Sequence, residues 1–345
     1  MEYNLLEEKW IPVLWKDGKS NRVGIIEALE CAGGIRCIAL SSPLDLFAGH
    51  RFMLTLLYWK ADLAGGVEGV RESLLKDEKI PSAVLDGIRK EARCFDLFDD
   101  KSPFLQDPSA RATKESEKKP AGSLFAELAT GTNIAHFHHG DDESLRLCLP
   151  CATLGILRVV PWSQSGGSGL TPSIHNAPPI MALATGDNLA ETLGLNLVPL
   201  GTNAGEAKWS GHFKPTDPTK QIAYLEALTW NPRRVFLTAP ETGVCSCCGQ
   251  TGVLTVGPGI VYLKNADTKA NKINGKGSPF IWTDPSAFYR DDDYKTVKSA
   301  REDRAIDNRD LGTLAKSKSS VITKNEDHNR WWLIVPCTNP ANNKT

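Results

Sequence analysis

The sequence predicts a large α+β domain, and three observations predict it. A chain of 345 residues, 41% of them hydrophobic, has enough apolar surface to bury one large core or two smaller ones. Residues 42–65 carry helical spacing with both ends marked, whereas "RRVFLTA" and "RWWLIVPC" in the second half are short and β-rich. Two C-x2-C pairs, Cys148 with Cys151 and Cys245 with Cys248, add a four-cysteine site that staples the mixed α/β globule. There is neither an internal repeat nor a regular βαβ rhythm.

The elements follow in chain order. "WIPVLWKDGKS" is a strand running into a glycine turn. In "SSPLDLFAGHRFMLTLLYWKADLAGG", Ser42 is the N-cap, Pro43 takes the first helical position and Gly65 is the stop. "ATKESEKKPAG", from Ala112 to Gly122, has the composition of a polar exposed loop. "PTKQIAYLEALTW" has the spacing of a second amphipathic helix, and the two β-rich pieces close the second half as sheet.

Charge and cysteine use narrow the class. The formal net charge is −1, no apolar run is long enough to span a bilayer, and the opening "MEYNLLEEKWIPV" is acidic where a secretory signal would be basic. These features predict a soluble, cytoplasmic protein with no membrane partner. Nine cysteines, an odd number in a reducing compartment, point to metal ligation or burial rather than a disulfide framework. Each C-x2-C pair supplies two thiolates from one turn, so the two pairs together make a tetrahedral zinc site. The intervening segment, roughly ninety residues, is far longer than a zinc ribbon's and makes the site a staple between distant parts of the fold. Cys247 is a spare thiol able to replace either neighbour, while Cys31, Cys37, Cys94 and Cys337 stand singly and read as core.

Three loops are candidate sites. "GTNIAHFHHGDD", residues 131–142, offers His136, His138 and His139 beside Asp141 and Asp142, which admits a catalytic metal, a solvated loop or a nucleic-acid contact. The H-x-H-H spacing is poor for a metallohydrolase, and His and Phe at a loop tip suit base stacking. "WSQSGGSGLTPS", residues 162–173, has glycines that let backbone amides approach a phosphate or base edge, or that simply make a connector. It lacks the Gly-Lys-Ser/Thr ending of a P-loop, which argues against NTP hydrolysis. In "LKNADTKANKINGKGSPF", Lys264, Lys269, Lys272 and Lys276 face only Asp267, an arrangement fit for a phosphate backbone or for a solvated surface.

The combination carries a resemblance that no single motif does. "YNLLEEKWIPV", "FDLFDDKSPFLQ", "TGTNIAHFHH" leading into "CLPC", the glycine loop and "CSCCGQ" occur in that order. The chain resembles the CasA family, large subunits of the type I-E CRISPR surveillance complex called Cascade. The resemblance implies an N-terminal globular domain over residues 1–345, with the family's C-terminal four-helix bundle not present in this chain. It implies a binding subunit and not an enzyme: one that recognises the protospacer-adjacent motif, assists duplex opening and helps recruit a helicase-nuclease. The implied partners are the other Cascade subunits, the guide RNA 5′ end and double-stranded target DNA.

By the same resemblance, the loop near the guide RNA maps to His136, Phe137 and His138, although histidines at these positions depart from some family members. The minor-groove glycine loop maps to Ser165 through Gly169, with Gly166 and Gly167 best placed. A motif-contacting lysine belongs among Lys264, Lys269, Lys272 and Lys276, and a wedge that parts the base pairs maps to Asn343 and Lys344. Two other classes compete with this reading. One is a metal-dependent nuclease built on the histidine loop; the other is a zinc-stapled scaffold that binds only proteins.

Overall fold

The computed structural model describes residues 1–114, 117–125, 145–163, 173, 181–198, 204–210, 223–257, 259–264 and 330–334. Its first unit is an antiparallel sheet. Strand β1 (Ile11–Trp15) turns through Gly18, at φ +86°, into β2 (Ser20–Val23), so the expected strand and glycine turn are both present. Helix α1 (Ile25–Glu30) then leads to β3 (Ile35–Ile38), which pairs with the other edge of β1 to give the order β2-β1-β3. The N-terminus is tied down by "FDLFDD": Leu5 N–H donates to Phe95 O at 3.0 Å and Leu97 N–H to Tyr3 O at 3.0 Å.

Helix α2 (Pro43–Lys60) starts where the sequence says, with Ser42 extended and Pro43 in the first turn. Its continuation, the 3-10 turn Ala61–Ala64, ends at Gly65 in the left-handed region. From Asp45 to Trp59 every residue is buried, so α2 is a central helix packed on all sides rather than an amphipathic one. Around it lie α3 (Gly66–Asp77) and α4 (Ser82–Arg89). A cluster of rings fills the same core: Trp209 meets Phe52 at 5.9 Å, Trp59 at 6.0 Å and Phe104 at 5.9 Å between centroids.

The second half supplies the remaining sheets. Two-residue strands β4 (Lys119–Pro120) and β5 (Leu147–Cys148) precede α5 (Leu149–Trp162), which packs on α2 through Phe47 and Trp162 at 5.3 Å. Strand β6 (Met181–Thr185) and α6 (Leu189–Asn196) follow, the helix capped by Asn188 accepting from Glu191 N–H at 2.9 Å. Then come α7 (Tyr224–Leu228), β7 (Arg233–Phe236), β8 (Glu241–Val244), β9 (Thr251–Val256), β10 (Gly259–Lys264) and β11 (Arg330–Ile334). They form sheets ordered β4-β10-β7, β11-β6 and β5-β9-β8. Among the described residues the fold is thus mixed helix and sheet, as expected.

Three expectations need correction. The helix expected in "PTKQIAYLEALTW" spans only Tyr224–Leu228 of the described residues, because Ala223 is extended and Leu225 N–H donates to Ala204 O at 2.8 Å; residues 218–222 lie outside the description. The polar loop 112–122 ends inside the protein: Ala121 and Gly122 are buried in a 3-10 turn whose Leu124 packs where Gly155 of α5 leaves room for no Cβ. Cys31 and Cys94 are only half-buried and Cys37 is exposed, because Ile35 and Ile38 take the inward positions of β3; Cys337 lies outside the described residues.

Candidate metal centre

Cys148, Cys151, Cys245 and Cys248 come together. Strand β9 brings them there by pairing with both of its neighbours: Cys148 on β5 lies opposite Thr255, and β8 runs antiparallel to β9 across the turn that carries Cys245 and Cys248. The two cysteine-bearing segments are then pinned directly. Ser246 N–H donates to Arg146 O at 2.8 Å, and Arg146 N–H donates back to Ser246 Oγ at 3.1 Å.

The halves are built differently. Cys245 and Cys248 sit on a tight turn, where Gly249 takes φ +73° and its N–H donates to Cys245 O at 2.9 Å. The pair Cys148 and Cys151 does not form the expected turn knuckle. Cys148 is the N-cap of α5 and Cys151 stands in its first turn, with Pro150 between them. One helical turn brings Cys148 and Cys151 to the same face, which serves the same end as a knuckle.

The ligand atoms of all four residues lie within 4.8 Å of one another, and Cys148 Sγ is 3.7 Å from Cys248 Sγ. Tetrahedral sulfurs about 2.3 Å from a central ion stand about 3.8 Å apart, so the set fits a four-coordinate thiolate centre. Cys148, Cys151 and Cys245 are buried and Cys248 is exposed. Cys148 N–H donates to Cys245 Sγ at 3.2 Å, the kind of amide-to-sulfur bond that steadies a thiolate from outside the ligand set.

Electrostatics point the same way. The Cys151 thiol donates to Cys148 and thereby holds Cys148 down to about 5, while the same donation pushes Cys151 strongly up. Burial raises Cys245. Crowded thiols therefore do not all ionise by themselves, and a bound cation would let four thiolates share this space. Cys247, the sequence's spare, is not among the four; it is exposed, and it accepts a hydrogen bond from the Cys151 thiol that lowers it to about 7.

Two supports were invisible in the sequence. Gln250 accepts from Arg22 Nη1 at 3.2 Å and from Cys248 Sγ at 3.7 Å, linking the turn to β2. Behind the site the buried pair Arg158 and Asp45 joins α5 to α2, with Arg158 Nη2 donating to Asp45 Oδ2 at 2.8 Å and its guanidinium 4.7 Å from the Phe125 ring centre. Neither has a local signature, since the partners stand far apart in the chain.

Of the other candidate residues only Lys264 is described. Lys264 ends β10, its backbone opposite Arg233. His136, Phe137, His138, Gly166, Gly167, Lys269, Lys272, Lys276, Asn343 and Lys344 lie outside the described residues. No helix among the described residues is long and apolar enough to cross a membrane.

The fold matches solved CRISPR-associated proteins, and that is the class it defines. Thermus thermophilus CasA (Cse1) is 26% identical with a TM-score of 0.57, the match covering 76% of this chain and 53% of that one. A chain of a CRISPR RNA-guided surveillance complex has the same fold, with a TM-score of 0.60 at 17% identity over 76% of this chain and 56% of that chain. The model of the family CRISPR-associated protein Cse1 matches residues 4–329, and the chain belongs to that family. The curated CRISPR-associated protein CasA/Cse1 of Thermus thermophilus is 30% identical over 307 residues, 84% of this chain and 59% of that protein. The chain thus spans somewhat more than half the length of this relative.

Proposed function

We propose that residues 1–345 form the N-terminal domain of a large subunit of a type I-E Cascade surveillance complex, and that the domain binds target DNA without catalysing a reaction. The observation that carries this reading is the family match from residue 4 to residue 329. Within the complex the domain recognises the protospacer-adjacent motif, helps open the duplex for the guide RNA, and helps recruit a helicase-nuclease. Its contacts are the guide RNA 5′ end at His136, Phe137 and His138, the minor groove at Gly166 and Gly167, phosphates at Lys264, Lys269, Lys272 and Lys276, and the first opened base pairs at Asn343 and Lys344.

Physical chemistry supports this division of work. A minor-groove reader gets mostly A·T-versus-G·C information and groove width, so it tolerates several motif sequences. Unstacking costs a few kcal/mol per step, and guide pairing replaces the lost DNA pairing almost evenly, so no catalytic group is needed. With a net charge of −1, affinity rests on local basic segments and falls with salt.

The ion in the cysteine cluster is zinc in this reading. An all-sulfur, four-coordinate, largely buried set matches structural zinc, which leaves no open position for a reacting water. Its role is to join the start of α5 to the β8–β9 turn.

Fluorescence anisotropy of a motif-containing duplex tests the function. The Cascade assembly containing this protein is expected to bind it more tightly than either the assembly lacking the protein or a duplex with a scrambled motif. Equal affinity in all three cases would contradict the reading.

A further inference from the structure

The core treats two of its buried guanidiniums differently. Arg158, 3% exposed, is matched by the Asp45 carboxylate. Arg51, 4% exposed in the middle of α2, has no hydrogen-bond partner at Nε or Nη2, and it lines a cavity of about 10 Å³ with no carboxylate in its wall. Apart from Arg51, Thr55 and Trp209, that wall consists of Leu105 and apolar side chains of α2, α5 and α7. Trp209 Nε1–H has no acceptor either, while the Thr55 hydroxyl already gives its proton to Arg51 O at 2.8 Å. The unpartnered polar atoms of the wall are therefore all donors, and one group carries a full positive charge. We infer that Arg51 and Trp209 bind a single small monovalent anion, of chloride size, where α2, α5 and α7 meet.

Charge and size together select the occupant. A guanidinium holds its proton at neutral pH, so its charge is balanced by a counter-ion and not removed by titration. Burial pushes Arg51 down to about 9, against an opposing pull from Tyr224, and this still leaves it cationic at neutral pH. A buried charge without a counter-charge is strongly destabilising. Water would satisfy the donors but bring no charge. A cavity of this size takes roughly one water-sized guest, which excludes phosphate, sulfate and carboxylate-bearing metabolites. A halide is only slightly larger than water and accepts hydrogen bonds from any direction, so it can serve the guanidinium and the indole together. Because the wall is drawn from three helices and the segment carrying Trp209, the site exists only in the folded chain, and the ion stabilises that chain by mass action.

The test melts the full chain at rising sodium chloride, with gluconate, too large for the cavity, holding ionic strength constant. The expected result is a melting temperature that climbs by about 2 °C for each tenfold rise in chloride above the dissociation constant, less steeply in Trp209→Phe and not at all in Arg51→Met. Diffraction from crystals of the full chain grown in sodium bromide, measured at the bromine edge, locates the ion whether or not the variants fold. The expected anomalous peak lies within hydrogen-bonding reach of Arg51 and Trp209. A melting temperature indifferent to chloride would overturn the inference even with a bromide peak, since that peak would then mark an adventitious ion only. A water without anomalous signal at that place would also overturn it, as would a carboxylate of the chain itself bonded to Arg51.

Discussion

His50 shows how one buried residue sets a pH limit. It lies wholly inside α2, its Nδ1–H donating to Leu46 O at 2.8 Å, and burial lowers its pKa from 6.5 to about 4. Above pH 6.5 the ring is neutral in folded and unfolded chains alike. Between 6.5 and about 4 only the unfolded chain takes the proton, so stability falls as pH falls, by up to about 3 kcal/mol, and the loss levels off below 4. Urea denaturation across this window is expected to show a slope in His50→Leu smaller by up to one proton than in the natural chain. At the cluster, Cys148→Ser is expected to lower the melting temperature more than Cys31→Ser, because Cys148 is one of the four proposed zinc ligands and Cys31 is a half-buried helix cap. That these four cysteines come together was legible from spacing alone, since few chemistries use two C-x2-C pairs in one chain. The place of Cys247 outside the set was not, because it depends on how the turn meets α5.

Between elements, the contact of α2 with α5 governs what lies behind the cluster. Arg158 and Asp45 are both buried, and Trp162 Nε1 donates to Leu44 O at 3.0 Å beside them. Arg158→Met alone is expected to cost about 3–5 kcal/mol, since it leaves the Asp45 carboxylate buried without its cation. Adding Asp45→Leu is expected to recover most of that loss, which chemical denaturation of the single and double variants measures. Helix α2 was legible because Ser42, Pro43 and Gly65 mark its ends. Its burial on every side was not, since Asp45, His50 and Arg51 read as polar surface positions until tertiary packing takes them inside. Likewise α7 is shorter than its spacing, because a distant carbonyl on Ala204 takes the amide of Leu225 near its start. Strand β5 is two residues long and has no sequence period to read, yet it positions Cys148.

For the whole molecule, the broad class was legible and the topology was not. Apolar content and short β-rich runs announced a mixed core, whereas the four small sheets among the described residues depend on pairings between distant strands, such as β6 with β11 and β5 with β9. The ordered set of motifs carried the family where no single motif did, and the match over residues 4–329 bears it out. The molecule then depends on one claim above the rest: a single zinc ion, held by four sulfurs, joins the start of α5 to a turn that stands almost a hundred residues further along the chain. Zinc K-edge X-ray absorption on the chain purified from zinc-supplied cells tests it most directly. The account predicts one zinc per chain with four sulfurs at about 2.3 Å and no nitrogen or oxygen in the shell. Protein without zinc, or zinc with nitrogen or oxygen ligands, would contradict it.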